Sequence, residues 1–277
     1  MWMSFIRSFR FAHALRLGAG SVLILGASVV AAETKAAGST LRELTTDRPD
    51  ATESPFTVDM NHLQLELEAI SYTRNRLNGV RTAEWAAAPF NLRFGLTETT
   101  EVGIFITPYL EATEKLRTGE TTTWRGIGDT TLRAKWNWQG NDGGSLAYGM
   151  FVDLKLPTAK AGLGNDEVDG AVTFPVAFEL GAGWEGAAMT VVEFGLTGSD
   201  REVVWVNTIT VGRELAPDLG GFLELTSAAG EGSHVATFNC GLTRRYGPQL
   251  QLDAGFNFGL SRNAPDVRVF AGLSRKF

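Results

Sequence analysis

The alternation of apolar and polar residues near the carboxyl end constrains the fold of this chain more than any other feature. From Gln249 to Leu260, apolar residues occupy every second position, and polar residues or glycine lie between them. The pattern returns from Pro265 to Phe277, where Arg275 interrupts the apolar side. A period of two is typical of a strand whose two faces meet different surroundings. The carboxyl end therefore predicts strands with one apolar and one polar face.

The same periodicity recurs along the chain after residue 62. The 32 glycines and 9 prolines suit strands joined by turns better than helices. We expect an irregularity at Pro89 and a long polar loop from Glu111 to Thr123. An even number of antiparallel strands lets a single chain close with both ends on the periplasmic side. The sequence predicts an all-β fold, a transmembrane outer-membrane β-barrel of about 12 antiparallel strands.

The positions of tryptophan and tyrosine separate a membrane barrel from a soluble one. Membrane barrels carry aromatic girdles at both strand ends, whereas a soluble barrel would spread these residues through its core. The polar strand faces also carry more charge than a dry core holds. We therefore expect the apolar faces to contact lipid and the polar faces to line a wet lumen. The expected outer girdle contains Tyr72, Trp85, Tyr109, Trp124 and Trp205, and the inner girdle contains Trp136, Trp138, Tyr148, Trp184 and Tyr246.

Residues 1–32 have the pattern of a secretory signal peptide. Three arginines precede an uncharged apolar run that ends in small residues near Ala32, and the run is too short for a spanning helix. We expect cleavage there and export through the periplasm to the bacterial outer membrane of a Gram-negative cell. The remaining chain has 22 Lys and Arg against 31 Asp and Glu, a net charge of -9. This charge argues against nucleic acid as a partner.

Residues 33–61 form the second predicted unit, an irregular amino-terminal segment that precedes a barrel over residues 62–277. Pro49 and Pro55 disfavour both a central strand and a helix here. The segment lies close enough to the first strand to fold back into the lumen. We therefore expect it to form a plug or gate whose charges pair with the wall. The candidate plug residues are Asp47, Arg48, Asp50 and Glu53.

Charged residues on the polar strand faces are the candidates for the lumen lining. Two interpretations remain open for them. They could surround a narrow passage, or they could pair across neighbouring strands and brace the wall. The candidates are Glu66, Glu68, Arg93, Asp129, Arg133, Lys135, Asp153, Lys155, Glu193, Glu224 and Asp253.

Two motifs carry a resemblance to known proteins. The run Thr46-Asp47-Arg48-Pro49-Asp50 followed by Thr52-Glu53-Ser54-Pro55 resembles the start of the outer-membrane "transporter" family of the meta-pathway of phenol degradation. The strand that ends in Phe277 resembles the insertion signal that the barrel-assembly machinery reads. The family resemblance implies a channel for passive uptake of small, aromatic or hydrophobic molecules. The implied partners are that machinery, outer-membrane lipid and lipopolysaccharide, and a small-molecule solute.

Two other functions stay open as alternatives. A structural or surface-binding barrel would have its lumen closed by paired charges. An outer-membrane hydrolase would need a nucleophile beside an oriented base, and the chain after residue 32 has only His62 and His234, the latter next to Ser233. Because no phosphate loop, metal-ligand spacing or cofactor fingerprint is present, we expect no enzyme activity, no metal and no cofactor.

Overall fold

The computed structural model describes residues 41–196 and 203–277, so the predicted signal peptide, residues 1–32, lies outside the described residues. Within those ranges the chain forms antiparallel β-segments joined by turns and loops. No helix in these ranges is long and apolar enough to cross a membrane. The segments are β1 (Leu63–Leu77), β2 (Val80–Ala87), β3 (Phe90–Gly95), β4 (Thr100–Ile106), β5 (Tyr109–Lys115), β6 (Thr121–Gly126), β7 (Thr130–Gln139), β8 (Leu146–Leu156), β9 (Asp169–Gly181), β10 (Trp184–Gly195), β11 (Val203–Ala216), β12 (Leu219–Gly230), β13 (Ser233–Arg245), β14 (Leu250–Gly259) and β15 (Val267–Lys276).

The segments build one closed antiparallel barrel of twelve strands, as the sequence predicts. Each segment pairs with its neighbours, and β15 returns to pair with β1, which removes both sheet edges at membrane depth. Three strands are interrupted and appear as the segment pairs β2 and β3, β4 and β5, and β6 and β7. The first interruption lies at the predicted Pro89, beside Ala88 with a φ of 56°.

The region predicted as a long loop from Glu111 to Thr123 is instead the paired segments β5 and β6. The prediction was wrong because this polar, threonine-rich stretch lacks the apolar side expected of a lipid-facing strand. The first strand, β1, runs to Leu77 and turns at Asn78 and Gly79, whose φ values are 53° and 83°. An Asn-Gly pair with positive φ at both positions is a strong hairpin signal.

The two faces of each strand differ as the alternation predicts. Along β12, Leu223 and Leu225 expose 50% and 51% of their surface, whereas Glu224 and Thr226 between them expose 1% and 4%. Polar side chains therefore point into the barrel and apolar ones point out. A polar interior and an apolar exterior are the reverse of a soluble protein and match a barrel that is surrounded by lipid.

The outer end of the barrel is partly covered by the loop that joins β8 and β9. Leu163 of this loop packs against Ala86 and Leu110 on the inner faces of β2 and β5, and Trp124 is partly buried against the same cluster. Trp124 thus lies near the outer rim but faces the interior, which corrects its assignment to the lipid-facing girdle. Tyr72 and Trp85 contact each other on the outward face, with 4.5 Å between ring centroids.

Candidate functional site: the lumen and its amino-terminal segment

Residues 42–59, named here the lumenal segment, lie inside the barrel. Both ends of the segment are fixed near the inner rim. The Nε of Arg42 donates to the Oδ1 of Asp59 over 2.9 Å, and the Nζ of Lys276 donates to the Oδ2 of Asp59 over 2.9 Å. The Nζ of Lys276 also donates to the carbonyl oxygen of Arg42 over 2.7 Å. The segment therefore enters and leaves the lumen at one point.

These contacts set the charge state of Asp59. Burial by itself would raise the pKa of Asp59, but hydrogen bonds from Lys276 and Arg42 outweigh it and hold that pKa below its ordinary value. Asp59 is therefore an anionic anchor at neutral pH. Gly95 lies beside it, and a Cβ there would overlap the carbonyl oxygens of Val58 and Asp59. Glycine at this wall position makes room for the segment.

Asp47 is the central contact between the lumenal segment and the wall. The Nζ of Lys135 donates to the two carboxylate oxygens of Asp47 over 2.7 and 2.8 Å. The guanidinium groups of Arg93 and Arg133 lie 3.4 and 3.6 Å from the Oδ2 of Asp47. Ser54 donates its backbone N–H and its hydroxyl to the same carboxylate, so the segment also folds onto itself.

Arg93 links two wall carboxylates that bind the backbone of the segment. Its Nη1 donates to Glu66 over 2.6 Å and its Nε donates to Glu101 over 2.8 Å. Glu66 accepts the backbone N–H of Asp47 over 3.1 Å, and Glu101 accepts that of Val58 over 2.7 Å. In a sheet such backbone N–H groups would donate to a neighbouring strand. In the lumenal segment they donate to carboxylates of the wall instead.

Glu53 and Arg48 extend the pairing to other sides of the barrel. Arg133 binds Glu53 with two nitrogens and also donates to the wall residue Asp153 over 2.7 Å. Arg48 donates to Asp253 from Nη2 over 2.7 Å and from Nε over 3.3 Å, and its Nη1 donates to Glu68 over 3.2 Å. Asp47 and Glu53 of the segment thus face wall cations, and Arg48 faces wall anions.

The tip of the segment lies near the middle of the barrel. Glu224 accepts the backbone N–H groups of Ala51 and Thr52 over 2.9 and 2.7 Å, and the hydroxyl of Thr52 donates to the same carboxylate over 2.6 Å. The side chain of Asp50 lies close to Thr210 and to Glu224 itself. The amide of Asn239 supports Glu224 from the neighbouring strand over 2.6 Å.

Aromatic rings lie among the charges of the lumen. The guanidinium of Arg133 lies 3.9 Å from the ring centroid of Phe151 and 4.5 Å from that of Phe105. The guanidinium of Arg268 lies 4.7 Å from the ring of Phe270, which Arg48 approaches to 5.7 Å. Such contacts are cation–π interactions. The wall therefore offers planar apolar surfaces next to fixed positive charge.

Ten of the eleven predicted lining residues fall into two groups in the structure. Glu66, Glu68, Arg93, Arg133, Lys135, Asp153, Glu224 and Asp253 lie around the lumenal segment, either in direct contact with it or through a partner that contacts it. Lys155 and Asp129 form a separate outer group. The Nζ of Lys155 lies 2.6 Å from Asp169 and 3.6 Å from Asp129, which also accepts the backbone N–H of Ala159 over 3.0 Å. Glu193 is buried in the interior face of β10.

The lumen residues that the sequence reasoning missed include Glu101 and Lys276, although the alternation carries their signal. Glu101 shares the inward side of β4 with Gly103 and is 1% exposed. Lys276 shares the inward side of β15 with Phe270 and Ser274 and is 3% exposed. Both follow from continuing the period of two to the end of each strand.

His234, the histidine considered for a hydrolase, has a serine partner, but the described residues around it form no catalytic triad. A hydrogen bond of 3.0 Å joins the Oγ of Ser227 and the Nε2 of His234, so the predicted neighbour Ser233 is not the partner. The other histidine, His62, contacts the carbonyl oxygen of Met60. Among the described residues, no carboxylate contacts His234, whereas an activated serine needs a base that a third group orients.

A known protein family shares both the lumenal segment and the barrel wall. A family model with the description "Putative MetA-pathway of phenol degradation" matches residues 46–277. The chain belongs to this family. The match starts inside the lumenal segment and runs to the last residue, so the family includes both the segment and the barrel. This confirms the resemblance drawn from the sequence motif.

Solved structures share the fold at low sequence identity. The COG4313 outer membrane channel from Pseudomonas putida F1 has 15% identity and a TM-score of 0.59, with coverage of 83% of this chain and 99% of that chain. The beta domain of the Bordetella autotransporter BrkA has 12% identity and a TM-score of 0.52, with coverage of 79% and 100%. The NanC porin has 8% identity and a TM-score of 0.51, with coverage of 77% and 100%. The sequence has no significant match among curated proteins.

These likenesses identify the fold. At identities of 8 to 15%, what the chain shares with these proteins is an outer-membrane β-barrel. The apolar exterior and closed wall agree with that class. The protein therefore has the fold of an outer-membrane β-barrel.

Proposed function

We propose that the protein is a channel for passive uptake of small molecules and that the lumenal segment is its gate. The observation that carries the proposal is the set of ion pairs between the segment and opposite sides of the wall, with Asp47 on Lys135 and Arg48 on Asp253. The route to the membrane is proposed as secretory export through the periplasm.

The type of contact supports a gate that can be released. The segment contacts the wall through side chains. Among the described residues, one isolated β-bridge lies outside the named strands, and it joins Met60, just after the segment, to Gly95. Because the contacts of the segment are separate side-chain pairs, another charged group can take them over one at a time, whereas a continuous strand ladder would have to break as a unit. A solute that offers the same charges can therefore replace the segment without unfolding the wall.

The lumen chemistry supports aromatic acids as the solutes. A ring could stack on Phe151 or Phe270 while its carboxylate pairs with Arg133 or Arg268, because these groups already lie together. The family description refers to phenol degradation, which points to the same class of molecule. We therefore infer a preference for small aromatic carboxylates over sugars of similar size.

Deletion of residues 44–57 tests the gate. This deletion removes the paired charges and keeps Arg42 and Asp59, so the inner anchor stays. In planar bilayers, single-channel conductance should rise relative to the intact chain. Unchanged conductance in a deletion variant that still shows the heat-dependent gel shift of a folded barrel would contradict the gate.

A second function has one specific observation in its favour. Most charges around the segment are paired with opposite charges, which suits a structural or surface-binding barrel with a closed lumen. Liposome swelling with aromatic acids and sugars separates the two functions, because only a channel admits solute. If neither the intact chain nor the deletion variant admits any solute, the structural function is preferred.

A further inference from the structure

The outward face at the outer ends of β1, β2 and β5 carries a cluster of cations. Arg76 pairs in register with Arg81 across β1 and β2, and Arg81 pairs with Lys115 across β2 and β5. Arg74 precedes Arg76 by two positions and therefore lies on the same face. All four side chains are exposed. We call these four residues the outer basic patch.

The patch places like charges next to one another. Residues directly opposite on antiparallel strands have Cβ atoms about 4.5–5.5 Å apart, and like charges at that distance repel. Within the described residues no carboxylate pairs with any of the four. Arg125 on the same face differs, because its Nε donates to Glu111 over 2.7 Å. An external anion between these cations would therefore remove a repulsion that nothing in the described residues offsets.

A fifth cation approaches the same edge. The side chain of Arg117 crosses the turn between β1 and β2 so closely that a Cβ at Gly79 would overlap it. Gly79 has a φ of 83°. The turn therefore leaves room for a guanidinium beside the outer basic patch.

The depth of the patch matches a lipid headgroup. Tyr72, Trp85 and Tyr109 mark the outer aromatic level, and Ile70 below them is 48% exposed on the lipid face. Arg74 lies two residues farther out than Tyr72, and Arg76 lies four residues farther. At about 3.3 Å per residue these positions lie about 7–13 Å farther along the strand, or about 5–10 Å higher for a strand tilted by about 40°, where charged headgroups begin.

The patch occupies one side of the barrel. The outer ends of other strands carry apolar residues on the outward face, among them Val203, Trp205, Phe258 and Val267. A girdle that attracted anionic lipids in general would need cations on all sides. A local cluster fits one ligand with several anionic groups.

We propose that the outer basic patch binds the phosphate groups of lipopolysaccharide in the outer leaflet. Lipopolysaccharide carries phosphates on its lipid A and core sugars, at the depth of the patch. A guanidinium donates two parallel hydrogen bonds to a phosphate, which accounts for arginine at three of the four positions. The bound phosphates remove the repulsion between Arg76, Arg81 and Lys115.

The test compares two triple variants of the full chain, refolded in detergent. The patch variant carries Arg76→Gln, Arg81→Gln and Lys115→Gln. The control carries Arg213→Gln, Arg244→Gln and Arg275→Gln, which removes three exposed arginines near the inner strand ends. Glutamine keeps the length and polarity of the side chains and removes the charge.

Two measurements decide the outcome. Lipopolysaccharide should raise the melting temperature of the wild type and the control but not of the patch variant, and its affinity for the patch variant should fall roughly a hundredfold, at about fivefold per cation. Without lipopolysaccharide the patch variant should be at least as stable as the wild type, because repulsion is relieved. A less stable patch variant, or an equal response of all three proteins to lipopolysaccharide, overturns the proposal.

Two further ligands identify the anion. Dephosphorylated lipopolysaccharide should give no stabilisation if phosphate is recognised. Inorganic phosphate alone should also give little, because it lacks the lipid that holds several phosphates at this depth. If inorganic phosphate stabilised the protein as much as lipopolysaccharide does, the ligand of the patch would be a soluble anion and the assignment to lipopolysaccharide would be overturned.

Discussion

Arg48→Gln is the substitution that tests most directly how the lumenal segment is held. Arg48 binds Asp253 with two nitrogens, the closer at 2.7 Å, and Glu68 with a third. The side chain of Asp253 has no solvent exposure and that of Glu68 has 2%. The substitution removes the charge but keeps a polar side chain of similar reach, so Asp253 loses its cation while Glu68 keeps Arg268.

The magnitude follows from the lost charge-assisted bonds. Hydrogen bonds to charged groups contribute about 1.5–3 kcal/mol. If this energy holds the segment in the lumen, its loss raises the ratio of released to bound segment by about 10- to 150-fold, since about 1.4 kcal/mol is tenfold. Open probability in planar bilayers should rise accordingly. The melting temperature of the barrel should change little, because no wall hydrogen bond is removed.

A double-mutant cycle separates this pair from general disturbance of the lumen. Asp253→Asn should also raise the open probability, and the double variant should open no more than Arg48→Gln alone, because Arg48→Gln already removes the interaction with Asp253. Arg125→Gln breaks an ion pair of 2.7 Å with Glu111 outside the lumen and should have no effect. Wild-type open probability in a folded Arg48→Gln variant would refute the reasoning.

Three further predictions test the anchor, the wall and the lipid face. A Cβ from Gly272→Ala would overlap the wall carbonyl oxygen of Leu67 and also the guanidinium of Arg48, so this variant should raise conductance. Gly241→Ala is the matched control, because its Cβ also overlaps a wall carbonyl oxygen, at 2.6 Å, but meets no atom of the lumenal segment, and it should leave conductance unchanged. The pKa of Asp59 lies below its ordinary value. The contribution of Asp59 to holding the lumenal segment is therefore present above about pH 4 and is lost as pH falls through the lowered pKa. Open probability should therefore rise only at lower pH, and Asp59→Asn should open at neutral pH and lose the part of the acid response that belongs to this residue. Leu223→Arg on the lipid face should lower the free energy of unfolding in lipid vesicles by about 2–4 kcal/mol, and Leu63→Arg near the inner rim by about 1 kcal/mol or less, both measured by urea titration. Equal losses at the two sites would contradict the assigned depth.

The period of two predicted the faces of the wall correctly because it is a local property. Each residue of a strand points opposite to its neighbours, so the alternation around Glu224 specifies an outward Leu223 and Leu225 without knowledge of any partner. The same logic would have found Glu101 and Lys276. It failed over Glu111 to Thr123, where the strands extend beyond the lipid and neither face needs to be apolar.

The lumenal contacts depend on tertiary structure. Asp47 and Lys135 are 88 residues apart, and Arg48 and Asp253 are 205 apart. The sequence predicted that the charged segment could fold back into the lumen, but many pairings of its charges with the wall were equally compatible with the pattern. Barrel closure and strand register decide which wall residues face each other across the lumen, and register is set by pairing along the whole chain. A local pattern therefore determines which way a side chain points, and only the closed barrel determines what it meets.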